Sequence, residues 1–245
     1  MGTAGAGAGV LDGASVIVVG IDTSTEQTSV AIGTEREILG RVQFAGKARQ
    51  ESVTPALEQL LSWSDVELDH VGGFAVGIGP GRFTGLRVGV ATAKTLAQVT
   101  GAPIVGITSL DALAYAVRHT HRWIAAVVDA RRGEVFFSVY RSVPGGVVRE
   151  TEHAVVDPSH LAAELQALPG EVLAVGDGAM LYRDVLQEPG SRVEIASSVA
   201  AHPDAAAMVE LAVPRFLREE HDRVFDVVPI YLRKSDAEIA WDRRD

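Results

Sequence analysis

The chain has 245 residues, 47% of them hydrophobic and 22% charged, which suits a globular protein built as one large unit or two lobes. Its formal net charge is −10 and it shows no basic stripe, so it lacks the electrostatic footprint of a protein that grips nucleic acid alone. Cysteine is absent, which excludes disulfides, zinc–thiolate sites and a thiol nucleophile and fits a cytoplasmic protein.

The opening MGTAGAGAGVLDGAS has no Lys or Arg and no apolar core of useful length, so it does not read as a signal peptide. Residues 1–14 read as a disordered Gly/Ala leader. No run of about 18 apolar residues occurs, so no membrane-spanning helix is expected. The fold is expected to begin at Ser15. Two β-rich runs, Val16 to Ile21 and Thr28 to Ile32, flank the turn formers Asp22, Thr23, Ser24 and Thr25. A third run, ILGRVQFAG, follows. ESVTPALEQLLSW places Val53, Leu57, Leu60 and Leu61 on one helical stripe, with Pro55 tolerable near the first turn.

HVGGFAVGIGP reads as a buried strand entering a glycine loop, and a helix is expected from about Phe83 to Val99. That loop fails both common phosphate fingerprints. A P-loop needs a lysine directly after its last glycine, and Lys94 lies far down the helix; Thr84 stands where G-x-G-x-x-G needs its third glycine. Gly85, Gly89, Ala93 and Ala97 recur every four residues and draw a small-residue stripe along one helical face. Glycine inside a helix costs about 1 kcal/mol against alanine, so close approach of another backbone is the expected reason. The stripe can serve the chain's own sheet or a second subunit.

APIVGI reads as a strand, and TSLDALAYAV as a helix whose Thr108 and Asp111 stand at capping-box spacing. WIAAVVDA and EVFFSVY then flank the turn RRG, and Gly145-Gly146 leads to a third run, VVRETEHAVV. This repeats the first block in outline and predicts two related lobes, each opening with antiparallel strands and continuing with βα units. The expected division is 15–112, 113–220 and a C-terminal segment, 221–245. Asp157-Pro158 reads as cap and first residue of a helix. EVLAVGDGA reads as strand then loop. HPDAAAMVELAVPRFLREE reads as a long helix kinked or ended by Pro214, and VVPIYLRK as a final extended run.

Asp22, Thr23 and Ser24 form one candidate phosphate hairpin of the actin-like ATPase kind. Asp129 with Gly133 would be its counterpart, and Gly176, Asp177, Gly178 and Ala179 lie where such folds approach adenosine. An active ATPase of this kind carries glycine after the first Asp, whereas Thr23 follows Asp22 and Ala130 follows Asp129. The seven histidines form no H-E-x-x-H or H-x-x-x-H pair, and no G-x-S-x-G elbow occurs, so neither a metal site nor a serine hydrolase is expected.

GIDTSTEQTSVAIG, GIGPGRFTGLRVGVATAKTLA, GITSLDALA, VVDARRGEVFFSVY and PIYLR together resemble the bacterial TsaB (YeaZ) family, from about Val16 to about Lys234. The resemblance implies an α/β, actin-like (ASKHA, ribonuclease H-like) two-lobe fold whose ATPase machinery is vestigial, at Asp22, Thr23, Ser24, Asp129, Gly176 and Gly178. It implies a non-catalytic, cofactor-free subunit that activates TsaD, with the ATPase TsaE, in moving a threonylcarbamoyl group to the tRNA adenosine beside the anticodon. It implies tRNA contact only through that complex. It further implies a partner or homodimer surface on first-lobe helices, with Leu57, Leu61, Gly85, Gly89, Ala93 and Ala97 as its expected residues. Arg49-Gln50-Glu51-Ser52 stands where many relatives carry a histidine. The alternative reading is a small-molecule kinase or ATPase on the same fold.

Overall fold

The computed structural model describes residues 10–11, 15–45, 52–188 and 190–233. Arg49, Gln50 and Glu51 and most of the leader lie outside them. Within the leader, Val10–Leu11 (β1) pairs antiparallel with Ser15–Val16 (β2).

Val18–Asp22 (β3) is buried at every position, as a strand covered on both faces must be. Gln27–Gly33 (β4) returns antiparallel to it, and Ile38–Ala45 (β5) forms the edge with alternating half-buried and exposed positions. Helix α1 (Val53–Trp63) buries Val53, Leu57 and Leu60. A 3-10 turn, Leu68–His70, leads into Gly73–Gly79 (β6), which runs parallel to β3. Helix α2 (Phe83–Thr100) follows and stops at Gly101, whose φ of 73° is left-handed. Ile104–Thr108 (β7) completes a five-stranded sheet ordered β5-β4-β3-β6-β7.

Helix α3 (Ser109–Ala116) starts at the cap the spacing predicts, with the Asp111 N–H donating to Thr108 Oγ1 at 3.0 Å. Trp123–Arg131 (β8) and Glu134–Val143 (β9) form a hairpin whose Arg131, Arg132 and Gly133 all have positive φ. The single run expected after Gly146 is two strands, Gly146–Arg149 (β10) and Ala154–Val156 (β11), both antiparallel to β9. Between them Thr151 offers its side-chain oxygen to the Val139 N–H at 2.9 Å, and this local bond interrupts the ladder.

Asp157 caps α4 (Pro158–Ala167) by accepting from two backbone N–H groups. Val172–Val175 (β12) lies parallel to β8. The loop expected after it is the start of a short helix, α5 (Asp177–Leu181), followed by α6 (Arg183–Leu186) and Val193–Ile195 (β13). The second sheet is ordered β10-β9-β8-β12-β13, with β11 also on β9. Both sheets therefore join an antiparallel meander to two parallel strands, the repeat that the sequence pattern predicts.

Helix α7 (Ala205–Leu217) runs through Pro214 and ends three residues later. It follows the second sheet in the chain yet packs on the first: Ala205, Met208, Val209 and Ala212 meet Val18, Ala31, Ala75 and Val105. Helices α1 and α2 cover the opposite face of that sheet. Helix α3 joins the lobes, with Ala112 in the first-lobe core and Leu110, Leu113 and Ala114 in the second. The chain then returns along the first sheet, where the Asp222 N–H donates to Ile104 O at 2.9 Å and the Ile230 N–H to Ile78 O at 2.7 Å. Between these two bonds it makes a turn at 224–226, where the Asp226 N–H donates to Arg223 O at 2.9 Å, and it forms only an isolated bridge at Asp222.

Candidate functional site

The β3–β4 turn lies where the first lobe meets the second, linked to the β8–β9 hairpin through Glu26 and Arg131. Asp22 builds it: Oδ1 accepts from the Ser24 N–H at 3.1 Å and from the Ser24 hydroxyl at 2.9 Å, an Asx-type turn. Its other oxygen, Oδ2, is buried without a hydrogen-bond partner among the described residues. Gly77 leaves the space for it, because a Cβ at Gly77 would overlap that oxygen. Burial pushes the Asp22 carboxyl up to about 7, against the smaller lowering effect of the two Ser24 bonds.

The rest of the turn is spoken for in the same way. Thr23 donates its hydroxyl to Gly85 O in α2 at 2.7 Å. Ser24 O accepts from the Arg82 N–H at 2.7 Å. Thr25 Oγ1 pairs with His202 Nδ1 at 3.0 Å. All four residues, Asp22 to Thr25, are at most 2% exposed.

In the second lobe, Asp129 Oδ1 accepts from the Arg131 N–H at 2.8 Å, and the Asp129 N–H donates to Asp177 Oδ1 at 3.0 Å. Gly176 has φ 107°, and side chains at Gly176 or Gly178 would collide with the β8 backbone at Val127 and Val128. These glycines let α5 lie directly on β8. Burial raises the Asp177 carboxyl to about 6. The two hairpins are tied together by Glu26, whose Oε1 accepts from Arg82 at 3.0 Å and from Arg131 at 2.6 Å. Arg233 reaches the same place, bonding Arg131 O at 3.4 Å and Glu134 at 2.7 Å.

The structure therefore gathers Asp22, Thr23 and Ser24 in the first lobe and Asp129, Gly176 and Gly178 in the second. Glu26, Arg82 and His202 were not among the expected residues. Such turn residues are ordinarily solvated, and their pairing joins positions 105 residues apart for Glu26 and Arg131 and 177 apart for Thr25 and His202, which local pattern does not carry.

The helix stripe is turned inward. Gly85, Gly89, Ala93 and Ala97 are all buried within the single chain, and Leu57 is too, while Leu61 is half-buried. At Gly89 the stripe has to be small because Thr23 presses on α2 there: a Cβ on Gly89 would fall inside 3.0 Å of Thr23 Oγ1. These residues consequently set the distance between helix and sheet and do not themselves offer a surface. The outward face of the same helices carries Thr84, Arg87, Ala91, Thr95 and Val99 from α2 and Gln59 and Trp63 from α1. Trp63 and Val99 are 70% and 75% exposed.

Among the described residues, Glu67, Asp69 and His70 bring three possible metal-ligand atoms within 4.8 Å of one another, all exposed. Exposed acidic groups of this kind are common without an ion. No helix among the described residues is long and apolar enough to cross a membrane.

Residues 43–241 match the family model of TsaD, tRNA N6-adenosine threonylcarbamoyltransferase. The chain is 30% identical over 237 residues to the tRNA threonylcarbamoyladenosine biosynthesis protein TsaB of Haemophilus influenzae, covering 93% of this chain and 96% of that one. It is 28% identical over 227 residues to TsaB of Escherichia coli, covering 91% and 96%. Among solved structures, YeaZ from Pseudomonas aeruginosa superposes with a TM-score of 0.75 at 27% identity, over 89% of this chain and all of that one.

Proposed function

The chain belongs to the family of the tRNA N6-adenosine threonylcarbamoyltransferase model, in its TsaB (YeaZ) branch, and we propose that it acts in tRNA threonylcarbamoyladenosine biosynthesis as a non-catalytic partner subunit. In this reading it pairs with a TsaD-type transferase and works with a TsaE-type ATPase in the cytoplasm. The transferase moves the threonylcarbamoyl group from its adenylate to the adenosine beside the anticodon.

One observation carries the non-catalytic part: the hairpin that would hold phosphate is closed on itself. A phosphate site needs backbone N–H groups and hydroxyls that face the ligand. Here the hydroxyls of Thr23, Ser24 and Thr25 are engaged with Gly85, Asp22 and His202, and the turn is buried. Asp129 is engaged with Arg131 in the same manner. The family assignment lends no support to the kinase or ATPase alternative.

The outward face of α1 and α2 is the proposed partner surface, and it would equally serve a homodimer. Exposed Trp63 on α1 and Val99 on α2 suit it, since aromatic side chains are enriched among the residues that carry binding energy at interfaces. The inward residues Leu57, Gly85, Gly89, Ala93 and Ala97 support that face from below. Two measurements test the proposal together. The purified chain should co-elute with the transferase and should turn over no ATP with magnesium even at high protein concentration. Turnover that Asp22→Ala abolishes would overturn the non-catalytic reading.

A further inference from the structure

We propose that the cavity between the α3–β8 connection and the β9–β10 turn takes a backbone phosphate of RNA, giving the chain a direct hold on the tRNA; the identity of the RNA rests on the function proposed above. The cavity measures about 590 Å³ and lies on the second lobe. Arg118, His119, His121, Arg122 and Arg141 line it, with Trp123 and Ser142. No carboxylate lines it among the described residues, although the chain carries 32 acidic residues against 22 Lys and Arg.

The acids stand outside the lining and orient the cations. Glu210 holds Arg118 at 2.7 Å, Glu171 holds Arg122 at 2.9 Å with Glu194 on its Nη1, and Glu150 holds Arg141 at 2.5 Å. Arg122 uses Nε and Nη1 in these pairs and Arg141 uses Nε and Nη2. A guanidinium has five N–H donors in a fixed fork. Arg122 Nη2 and Arg141 Nη1 thus keep donors that no described protein group accepts. The Arg141 guanidinium also sits over the Trp123 ring at 5.7 Å. Ser142 Oγ, on the lining, is buried with no partner among the described residues.

The ligand that fits is a small acceptor-rich anion. Arginine forks match phosphate oxygens in a planar, two-donor geometry. Because every arginine is already paired with a carboxylate, the site gives one well-oriented contact and not a field that attracts RNA from a distance. This is compatible with the acidic whole: the cavity positions tRNA that the assembled complex holds elsewhere.

The test uses the chain in complex with its transferase partner, formed and checked by size-exclusion chromatography before tRNA is added. Failure at that step concerns the proposed function; the tRNA titration is then run on the chain alone at low salt. Arg141→Gln combined with His121→Gln should weaken tRNA binding about three- to tenfold and lower the salt slope of log K by about 1, the loss of one phosphate contact. Arg141→Lys should keep most of the salt slope. Arg36→Gln, on the first lobe, should change neither. Thermal melts confirm that each variant folds, as expected for Arg141 at 57% side-chain exposure. Inorganic phosphate is titrated into the chain alone, followed by amide NMR shifts of residues 118–123 and 141–143. Phosphate binding with unchanged tRNA affinity in the double variant would overturn the RNA assignment in favour of a free phosphate ligand. Unchanged affinity and slope with no phosphate shifts would overturn the site altogether.

Discussion

Gly89→Ala is a substitution that helix propensity alone would predict to stabilise, by about 1 kcal/mol. The structure predicts the reverse. The new methyl would fall inside 3.0 Å of Thr23 Oγ1 and about 3.5 Å from Thr23 Cβ. Thr23 has little room to yield, because it is 2% exposed and its hydroxyl donates to Gly85 O at 2.7 Å. Overpacking costs about 1–3 kcal/mol. Displacing the buried hydroxyl adds about 1–3 kcal/mol more if its bond is lost. After subtracting the propensity gain, a net loss of about 1–5 kcal/mol remains. At about 2–4 °C per kcal/mol for a chain of this size, the melting point should fall by roughly 2–20 °C. Adding Thr23→Ala makes space for the methyl, so the double variant should be less destabilised than the two single losses added together. Circular dichroism melts of the four proteins measure this. Gly89→Ala melting at or above wild type, or strict additivity, would refute the inward placement of the stripe.

Three further outcomes follow from the same geometry. Asp22 holds its proton up to about pH 7 when folded but releases it near 3.8 when unfolded, so the folded chain binds more protons between those values and stability falls as pH rises from about 4 to about 7. At 1.36 kcal/mol per unit the effect is at most on the order of 4 kcal/mol. Asp22→Asn should remove the downward part of the slope above pH 6, where Asp177 contributes little and the burial-lowered His153 and His202 act in the opposite direction, so the variant's profile should turn upward relative to wild type; an unchanged slope there would count against the buried carboxyl. Ala91→Glu, on the outward face of α2, should abolish co-elution with the transferase and shift the melting point by less than about 2 °C, since exposed substitutions change stability by about 0.5 kcal/mol at most. Thr108→Ala removes the α3 cap and should cost about 1 kcal/mol, read as a drop of about 2–4 °C.

The parts of the fold legible in the sequence were those written in local chemistry. Thr108 and Asp157 announce their helices because a cap needs only three residues of context. The buried run Val18–Asp22 and the helix after Arg82 are legible for similar reasons, one from continuous apolar character and the other from its fourfold spacing. The direction of the stripe was not legible. Glycine and alanine fit a crowded interior and a crowded interface equally, and the residue that decides between them, Thr23, lies 62 residues before the carbonyl it binds. The packing of α7 on the first sheet was hidden likewise, since its apolar face fits either lobe. The broken strand after Gly146 turns on one threonine side chain replacing a backbone bond. At the junction of the lobes, the aspartates and glycines stood out by composition, whereas Glu26 and Arg131 look like any solvated turn until the two lobes meet.

The central claim is that the chain is required for a reaction it does not itself catalyse. Its most direct test is reconstitution: TsaD-type transferase, TsaE-type ATPase, threonylcarbamoyl-adenylate and tRNA are combined with and without the chain, and modified nucleosides are counted. The account predicts modification that depends on the chain and persists with Asp22→Asn. Equal modification in both mixtures, with the transferase confirmed active, would contradict it.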